Sequence, residues 1–536
     1  MGKKKTGKQT FIWGAAIIAF SHIIVKVIGA LFKIPLDRFI LHTDGMGIYT
    51  AAYTIYNWLF MISTAGLPVA ISKMVSEAYA VGNIKEANRI FNIAKAFMFV
   101  LGLSCAVILF AGAGLFSDML SASRAKYSMM ALAPSLFFGA MMSAYRGYTQ
   151  GMNNMVPTAV SEIFEAAGKL GVGLWLAVCF VGYGVEYGAA GAIGGVTVGT
   201  ACGFVLLFIN NIFVQRRIRG DKALYRNNAE PKSGRQILKR LIVIAIPITL
   251  GVSVFTLTSL IDTAMIMNQL AGLGYEEHVR SGMFGYLNRA VTMFNVPPTI
   301  VAAISVSVVP AISAALAERH NAAAASTAKS ALRITMLFSF PCAVGMCVLA
   351  SPILQLIYND SSYSFLLNVM ALAVAFVTIV QTGNAILQSY GKVWTPVINM
   401  SIGGAVKIAV NLILVSNPAV NINGAPIGTI LCYMTVAALN LVSIKKITKV
   451  KYEFSDFVIK PLLCVMVMGA ATMICYDFVL RITGRYIIAM ALAVCAAAVV
   501  YAAMALFVRC IKKEDILLVP KGEKIYALLL RLHLMK

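Results

Sequence analysis

Long apolar segments, broken by glycine, proline and charged residues, follow one another along almost the whole chain. Most are 20 residues or longer, and about 20 residues is the length that an α-helix needs to cross a bilayer. The pattern predicts about fourteen membrane spans and an all-α polytopic membrane protein. The spans are expected at residues 11–34, 46–71, 91–115, 128–148, 157–181, 188–214, 238–262, 283–309, 328–356, 363–387, 397–415, 427–444, 457–480 and 486–508.

The composition agrees with this pattern and excludes an ordinary soluble protein. Of the 536 residues, 60% are hydrophobic and only 12% are charged. Soluble globular domains are about 45 to 50% apolar and about 25% charged. The chain therefore has too few charged residues to cover a water-facing surface of its size.

The net charge of +24 would suggest a nucleic-acid partner in a soluble protein, but its distribution indicates membrane topology instead. With the N-terminus in the cytoplasm, 32 of the 45 basic residues fall in inside segments, 6 fall in outside segments and 7 fall within spans. This is a strong positive-inside bias. It predicts that both termini face the cytoplasm, that the basic rim contacts anionic membrane lipids, and that no nucleic acid is bound.

The residues that would support a metal, a cofactor or a disulfide are absent or scattered. The ten cysteines lie in predicted spans or at their cytoplasmic ends, and the five histidines lack metal-ligand spacing. Residues 2–8 resemble a phosphate-binding loop, but Gln9 replaces the required serine or threonine. We expect neither a metal site nor a cofactor.

Two sequence matches, separated by nearly the same distance along the chain, indicate an internal repeat. Ala70-Ile71-Ser72 with Glu77 recurs as Ala311-Ile312-Ser313 with Glu318, and the series Gln150, Pro157, Lys169 recurs as Gln388, Pro396, Lys407. The offset equals six spans and predicts two pseudo-symmetric six-helix lobes in parallel orientation plus two C-terminal helices. We expect an N-lobe at 1–214, a basic cytoplasmic linker at 215–237, a C-lobe at 238–444, two further helices within 457–508 and a basic cytoplasmic tail at 509–536.

Basic residues within the predicted spans are candidates for substrate binding, because an ionisable group in a bilayer is costly unless it faces water or a partner. Five of the seven are candidates, namely Lys26, Lys33, Lys169, Arg289 and Lys407. Glu165, four residues before Lys169, favours an ion pair there, and for each residue either snorkelling to lipid headgroups or an internal ion pair stays an alternative. A cavity lined by cations of both lobes without matching anions would attract an anionic substrate such as a lipid pyrophosphate.

One acid and one polar stripe complete the candidates. Asp262 has Thr258 and Ser259 one turn earlier, and these oxygens suit a cation such as Na⁺, whereas a proton carrier and a helix-end acid near headgroups stay open. Thr378, Gln381, Asn384 and Gln388 follow one another at helical spacing. They would either line a pathway or bond neighbouring helices.

Several of these segments carry a resemblance to a known family. GALFKIPL at 29–36, GLPVAISK at 66–73, YLNR at 286–289 and VPAIS at 309–313 resemble the SpoVB and MurJ-like branch of the multidrug/oligosaccharidyl-lipid/polysaccharide exporter superfamily. The resemblance implies two six-helix bundles that alternate access, with the helices of 457–508 forming a groove for a lipid tail. It also implies that Arg289 lines the central cavity and that Asp262 is similar to an acid proposed to bind sodium.

The resemblance has departures that bear on the substrate. Residues 53–64 contain no counterpart of a cavity arginine that the family carries in its second span, residues 397–415 contain no acid, and Lys26 and Lys33 stand near family arginines. Lysine lacks the bidentate phosphate grip of arginine. This difference indicates either another lipid-linked glycan or a variant of the same cavity.

The sequence thus predicts a secondary flippase of the bacterial plasma membrane and not an enzyme. It would move undecaprenyl-pyrophosphate-linked peptidoglycan precursor (lipid II) to the outer leaflet for cell-wall or spore-cortex synthesis. Coupling to Na⁺ or H⁺ and association with the cell-wall synthesis machinery stay open. The alternatives are a flippase for another lipid-linked polysaccharide and a cation-coupled multidrug exporter.

Overall fold

The computed structural model describes residues 7–220, 230, 232–449, 455–508 and 510, and its regular elements are helices. The α-helices are α1 (Gly7–Pro35), α2 (His42–Thr64), α3 (Leu67–Ala80), α4 (Ile84–Ala111), α5 (Ala113–Met119), α6 (Lys126–Gly151), α7 (Val156–Val181), α8 (Val185–Gly220) and α9 (Gly234–Gly272). They continue with α10 (Glu277–Phe294), α11 (Val296–Ala317), α12 (Asn321–Val348), α13 (Ala350–Tyr358), α14 (Ser364–Ser389), α15 (Trp394–Leu414), α16 (Gly424–Thr448), α17 (Lys460–Thr483) and α18 (Tyr486–Phe507).

All fourteen predicted spans fall on these helices, and the all-α membrane architecture is confirmed. Among the described residues, ten helical segments are long and apolar enough to cross a bilayer, so the chain is a multi-pass membrane protein. The number fourteen stays a prediction. The linker residues 221–229 and 231, and the tail residues 509 and 511–536, lie outside the described residues.

Four predicted spans are each divided between two helices. The span 46–71 is divided between α2 and α3, 91–115 between α4 and α5, 283–309 between α10 and α11, and 328–356 between α12 and α13. Pro68 and Pro297 stand in the first turns of α3 and α11. Proline is tolerated there because the first N–H groups of a helix have no partner within it, so each preceding helix ends just ahead of the proline.

The chain divides into two compact units, Met1–Gly285 and Tyr286–Lys536. The first unit contains α1 to α9 and the start of α10. Helix α9, which the repeat assigned to the second lobe, packs on α2, α3 and α4 of the first unit. Two ion pairs connect the start of α9 to α3 and α4. Arg240 Nη2 lies 2.7 Å from Glu77 Oε2, and Lys232 Nζ, just before α9, lies 3.5 Å from Glu86 Oε1.

The helix order within the units repeats along the chain. Helices α4, α6, α7 and α8 begin at residues 84, 126, 156 and 185, and α12, α14, α15 and α16 begin at 321, 364, 394 and 424. Each helix of the second series therefore follows its counterpart in the first by an almost constant interval. The packing also repeats, since α6 contacts α4 and α8, and its counterpart α14 contacts α12 and α16. This interval agrees with the offset between the two sequence matches.

Glycines bring α7 and α8 into very close contact. Helix α8 carries a glycine at every fourth position, at Gly191, Gly195, Gly199 and Gly203. A Cβ atom on Gly195 would lie 2.2 Å from the Cα of Gly173, and one on Gly199 would lie 2.4 Å from the carbonyl oxygen of Glu165. Small residues allow this approach in membrane helices, and they hold the part of α7 that carries charged side chains.

Candidate functional site

Lys169 of α7 lies among aromatic rings of the first unit. Its Nζ atom is 4.8 Å from the ring centre of Phe32 on α1, and 5.1 Å and 5.9 Å from those of Tyr53 and Tyr49 on α2. The faces of aromatic rings attract a cation, most strongly where water is excluded. The rings therefore hold the ammonium group without neutralising its charge.

The ion pair expected between Lys169 and Glu165 is replaced by another one. Glu165 Oε2 accepts a hydrogen bond from Arg146 Nη2 at 3.1 Å, and Arg146 Nε donates to the hydroxyl of Ser161 at 3.0 Å. Arg146 comes from α6, which the i to i+4 spacing along α7 could not reveal. Arg146 is thus the ion-pair partner of Glu165, and the contacts of the Lys169 ammonium group are with the aromatic rings.

Glu162 is a functional candidate that the sequence analysis missed. Its Oε2 atom accepts a hydrogen bond from Ser21 Oγ at 2.9 Å and lies 3.4 Å from His22 Nε2. The carboxylate of α7 therefore contacts two polar side chains of α1. The available signal was the presence of two acids, Glu162 and Glu165, within one apolar span.

These side chains line one cavity of about 210 Å³ between α1, α2, α7 and α8. Its polar groups come from Tyr53, Glu162, Glu165 and Lys169, and the remaining lining is apolar or aromatic. A cavity with one cation, two acids and aromatic walls can admit a small charged or polar group. Lys33 interacts electrostatically with both Lys169 and Asp37, which places two of the predicted cationic residues near each other.

Arg289 of α10 lies in the second unit and is almost fully buried, with its side chain 5% exposed. Its Nη1 atom donates a hydrogen bond to Asp360 Oδ2 at 2.8 Å, and its guanidinium carbon is 4.9 Å from the ring centre of Tyr358 and 5.2 Å from that of Tyr286. The structure therefore shows the internal ion pair that was one of the alternatives for this cation. Its partner stands 71 residues away, beyond the reach of local spacing.

The loop between α13 and α14 is shaped to present Asp360 to Arg289. Asn359 and Tyr363 both adopt the left-handed conformation, and the ring of Tyr363 stacks on that of Tyr286 at 4.7 Å. Burial would raise the pKa of the Asp360 carboxyl group. Hydrogen bonds from the N–H of Ser362 and from Arg289 outweigh it, however, and leave the pKa below its usual value.

The remaining predicted residues are on α1, α9 and α15. Lys26 is exposed on α1, and Lys407 is half-buried on α15, one turn before the buried Asn411. Asp262 and Thr258 are half-buried on α9, and Ser259 is exposed. Their roles stay predictions.

The polar stripe on α14 bonds neighbouring helices at one position. Asn384 Oδ1 accepts a hydrogen bond from Asn440 Nδ2 of α16 at 2.8 Å, and Asn440 Oδ1 accepts one from Asn399 of α15 at 2.9 Å. At Asn384 the stripe therefore bonds a neighbouring helix, which was one of the two predicted alternatives. Over the described ranges, no group of three or more histidine, cysteine, aspartate or glutamate side chains is placed to hold a metal ion.

Comparison with known proteins identifies the family. A family model described as polysaccharide biosynthesis protein matches residues 12–316, which is more than half of the chain. The chain belongs to the polysaccharide biosynthesis protein family. This membership confirms the superfamily that the sequence segments resembled.

Relatives of this family member cover nearly its whole length. Stage V sporulation protein B of Bacillus subtilis (strain 168) is 25% identical over 525 residues, which are 96% of this chain and 98% of that protein. Lipid II flippase MurJ of the same organism is 22% identical over 88% of this chain and 89% of its own. The resemblance to the SpoVB and MurJ-like branch is thereby confirmed.

Solved structures show the same fold. A lipid II flippase MurJ in an inward closed conformation aligns with a TM-score of 0.66 and 16% identity, over 93% of this chain and 99% of that one. An inward-facing multidrug resistance MATE family transporter of the MOP superfamily aligns with a TM-score of 0.62 and 15% identity, over 79% and 98%. The fold is that of this superfamily, and these neighbours are transporters, in line with the expectation that the chain is not an enzyme.

Proposed function

We propose that this family member is a secondary flippase that moves lipid II from the cytoplasmic to the outer leaflet by alternating access. The observation that carries the proposal is the membrane-embedded pocket in which the Lys169 ammonium group lies among three aromatic rings, with Lys33 nearby and with Glu165 paired to Arg146. Cations in a site of low dielectric constant attract a pyrophosphate strongly. The name of the relative MurJ supports the choice of lipid II.

The energy for transport would come from an ion gradient or from the membrane potential. Two places can serve a coupling cation. Asp262 with Thr258 and Ser259 offers oxygen ligands for Na⁺, and Glu162 beside His22 offers a carboxylate that can bind a proton. The proposed orientation places both termini in the cytoplasm, and the proposed lipid-tail groove lies within residues 457–508.

The direct test is a flipping measurement in bacteria whose own lipid II flippases are depleted. Expression of this chain should restore access of external probes to lipid II and prevent its accumulation inside the cell. If accessible lipid II stays low while the chain is present in the membrane at normal amounts, the choice of lipid II is wrong.

A site test uses Lys169→Met, which keeps the length and the apolar stem of the side chain and removes the charge. We expect at least a tenfold loss of flipping with normal protein amounts, because the pocket loses its attraction for phosphate. Tyr53→Phe is the matched control, since the aromatic face remains and flipping should change little. Full activity of Lys169→Met would remove this pocket from the transport pathway.

A flippase for another lipid-linked polysaccharide is the second candidate. It is favoured by the lysines that replace family arginines, because lysine contacts phosphate as a point charge rather than through two parallel bonds. Rescue of a strain that lacks a polysaccharide flippase, without rescue of lipid II flipping, would favour it.

A further inference from the structure

A second cavity, of about 480 Å³, lies within the second unit at the turn that joins α17 and α18. One wall is formed by α13 and the loop after it, and the other by the end of α17 and the start of α18. The polar lining consists of Ser351, Gln355, Ser361, Tyr476, Asp477 and Tyr486. The transport proposal assigns the helices of residues 457–508 to a lipid tail, and it assigns no ligand to the polar groups of this cavity.

The chemistry of the cavity favours a cation with hydrogen-bond donors. Among the described residues that line it, Asp477 is the one carboxylate, and two tyrosine rings stand beside it. Within the part of the chain that the structure describes, no basic side chain lies within 4.0 Å of the Asp477 carboxylate. A carboxylate next to aromatic faces and hydroxyl groups is a setting that binds an ammonium group.

The surface beside the cavity indicates which molecule would bring an ammonium group to it. Next to the cavity, α17 and α18 expose a broad apolar surface, where Met473 is 59%, Phe478 63% and Ile487 68% exposed. In a multi-pass membrane protein, such a surface contacts acyl chains. A lipid lying on it would have its headgroup at the level of the α17–α18 turn, beside the cavity.

We propose that this cavity binds the ammonium headgroup of a membrane phospholipid, of the phosphatidylethanolamine type. The ammonium group contacts Asp477 and the rings of Tyr476 and Tyr486, and Ser351, Gln355 and Ser361 accept its remaining hydrogen bonds. An anionic headgroup would be repelled by Asp477, and one carboxylate is too few for a divalent metal ion. The site does not depend on which substrate the protein flips.

The cavity shares a loop and a helix with the Arg289 site of the same unit. Ser361 lines the cavity, whereas its neighbour Asp360 accepts the hydrogen bond from Arg289. Helix α13 likewise contributes Ser351 and Gln355 to the cavity and Tyr358 to the surroundings of Arg289. A lipid bound here therefore contacts the same loop and helix that hold Arg289.

The test measures lipids retained by the purified full-length protein, using native mass spectrometry after incubation with vesicles of phosphatidylethanolamine and phosphatidylglycerol in equal amounts. We expect the wild-type protein to retain phosphatidylethanolamine in preference. Asp477→Asn should lower its retention fivefold to tenfold, and Tyr486→Leu should lower it severalfold. Tyr486→Phe, which keeps the ring, should retain the lipid.

The matched control is Glu276→Gln, because Glu276 is another exposed carboxylate and lies outside this cavity. It should leave lipid retention unchanged. Equal retention of the two lipids by the wild-type protein, or full retention by Asp477→Asn, would overturn the proposal.

A second arm separates the lipid from a free amine, using ethanolamine added to protein in phosphatidylglycerol nanodiscs. Weak or no stabilisation by ethanolamine supports the lipid as the ligand. Stabilisation that equals that of the lipid and depends on Asp477 would keep the ammonium site and overturn the lipid as its source.

Discussion

Arg289 is a buried residue whose structural contacts are visible and whose transport role is a prediction. Its side chain is 5% exposed, and its guanidinium group is bonded to Asp360 and placed over two tyrosine rings. Lysine would keep the charge but lose the planar contacts with Tyr286 and Tyr358. We expect Arg289→Lys to reduce flipping at least tenfold, and Arg289→Ala to abolish complementation at normal protein amounts. Full activity of Arg289→Ala would limit this residue to a structural role.

The Arg289–Asp360 pair should also give the protein an acid-sensitive component of stability. The pKa of Asp360 in the folded protein lies below its usual value of 3.8. A group with a lowered pKa adds stability above its unfolded pKa and loses it as the pH falls through the folded one. Thermal unfolding of the detergent-solubilised protein should therefore show an Asp360-dependent contribution that is constant from pH 8 to about 5 and is lost below about 4.

The comparison for this prediction is Asp360→Asn. The variant should have a lower Tm at neutral pH, because it leaves a buried guanidinium without its anion, and a smaller fall between pH 5 and 3. Parallel pH profiles for the two proteins would contradict the prediction.

At the residue scale, the sequence selected candidate side chains but did not identify their partners. Arg289 and Lys169 were found because an ionisable group within an apolar span is informative by itself. Asp360 and the rings of Phe32 and Tyr53 come from other helices or loops, so no spacing along one helix predicts them. Sequence spacing also predicted Lys169 as the ion-pair partner of Glu165, whereas in the structure that partner is Arg146.

At the element scale, the contact between α7 and α8 determines where Lys169, Glu165 and Glu162 stand. Gly195 is the tightest point, since a Cβ atom there would meet the Gly173 backbone at 2.2 Å. Backbone atoms cannot move aside as a flexible side chain can. We expect Gly195→Ala to separate the helices, to lower stability by about 1 to 3 kcal/mol and to reduce the monodisperse fraction in detergent.

The control is the adjacent glycine. A Cβ atom on Gly194 would lie 3.4 Å from Leu176 Cδ1, which is an ordinary contact, so Gly194→Ala should unfold at the wild-type Tm in a fluorescence-detected thermal assay. A Gly195→Ala protein as stable as this control would show that the helices can adjust.

At the scale of the whole molecule, the hydrophobic pattern predicted the helices and two sequence matches predicted the repeat, but neither predicted every packing partner. The offset between the sequence matches agrees with the almost constant interval at which α12, α14, α15 and α16 follow α4, α6, α7 and α8. Helix α9 departs from the repeat, since it packs on α2, α3 and α4. The ion pairs of Arg240 with Glu77 and of Lys232 with Glu86 join residues far apart in sequence. A periodicity along the chain does not predict such pairs.

The 32 to 6 distribution of basic residues predicts the orientation of the whole molecule, and two engineered cysteines can test this prediction. Glu276 precedes α10 in a predicted outside segment, and Glu318 follows α11 in a predicted inside segment. Their side chains are 79% and 70% exposed, so both are open to reagents on their own side.

In intact cells, a membrane-impermeant maleimide should label Glu276→Cys and not Glu318→Cys, with the wild-type chain giving the background from its native cysteines. Permeabilised cells should label both variants. The reverse pattern in intact cells would place the termini outside, against the positive-inside bias.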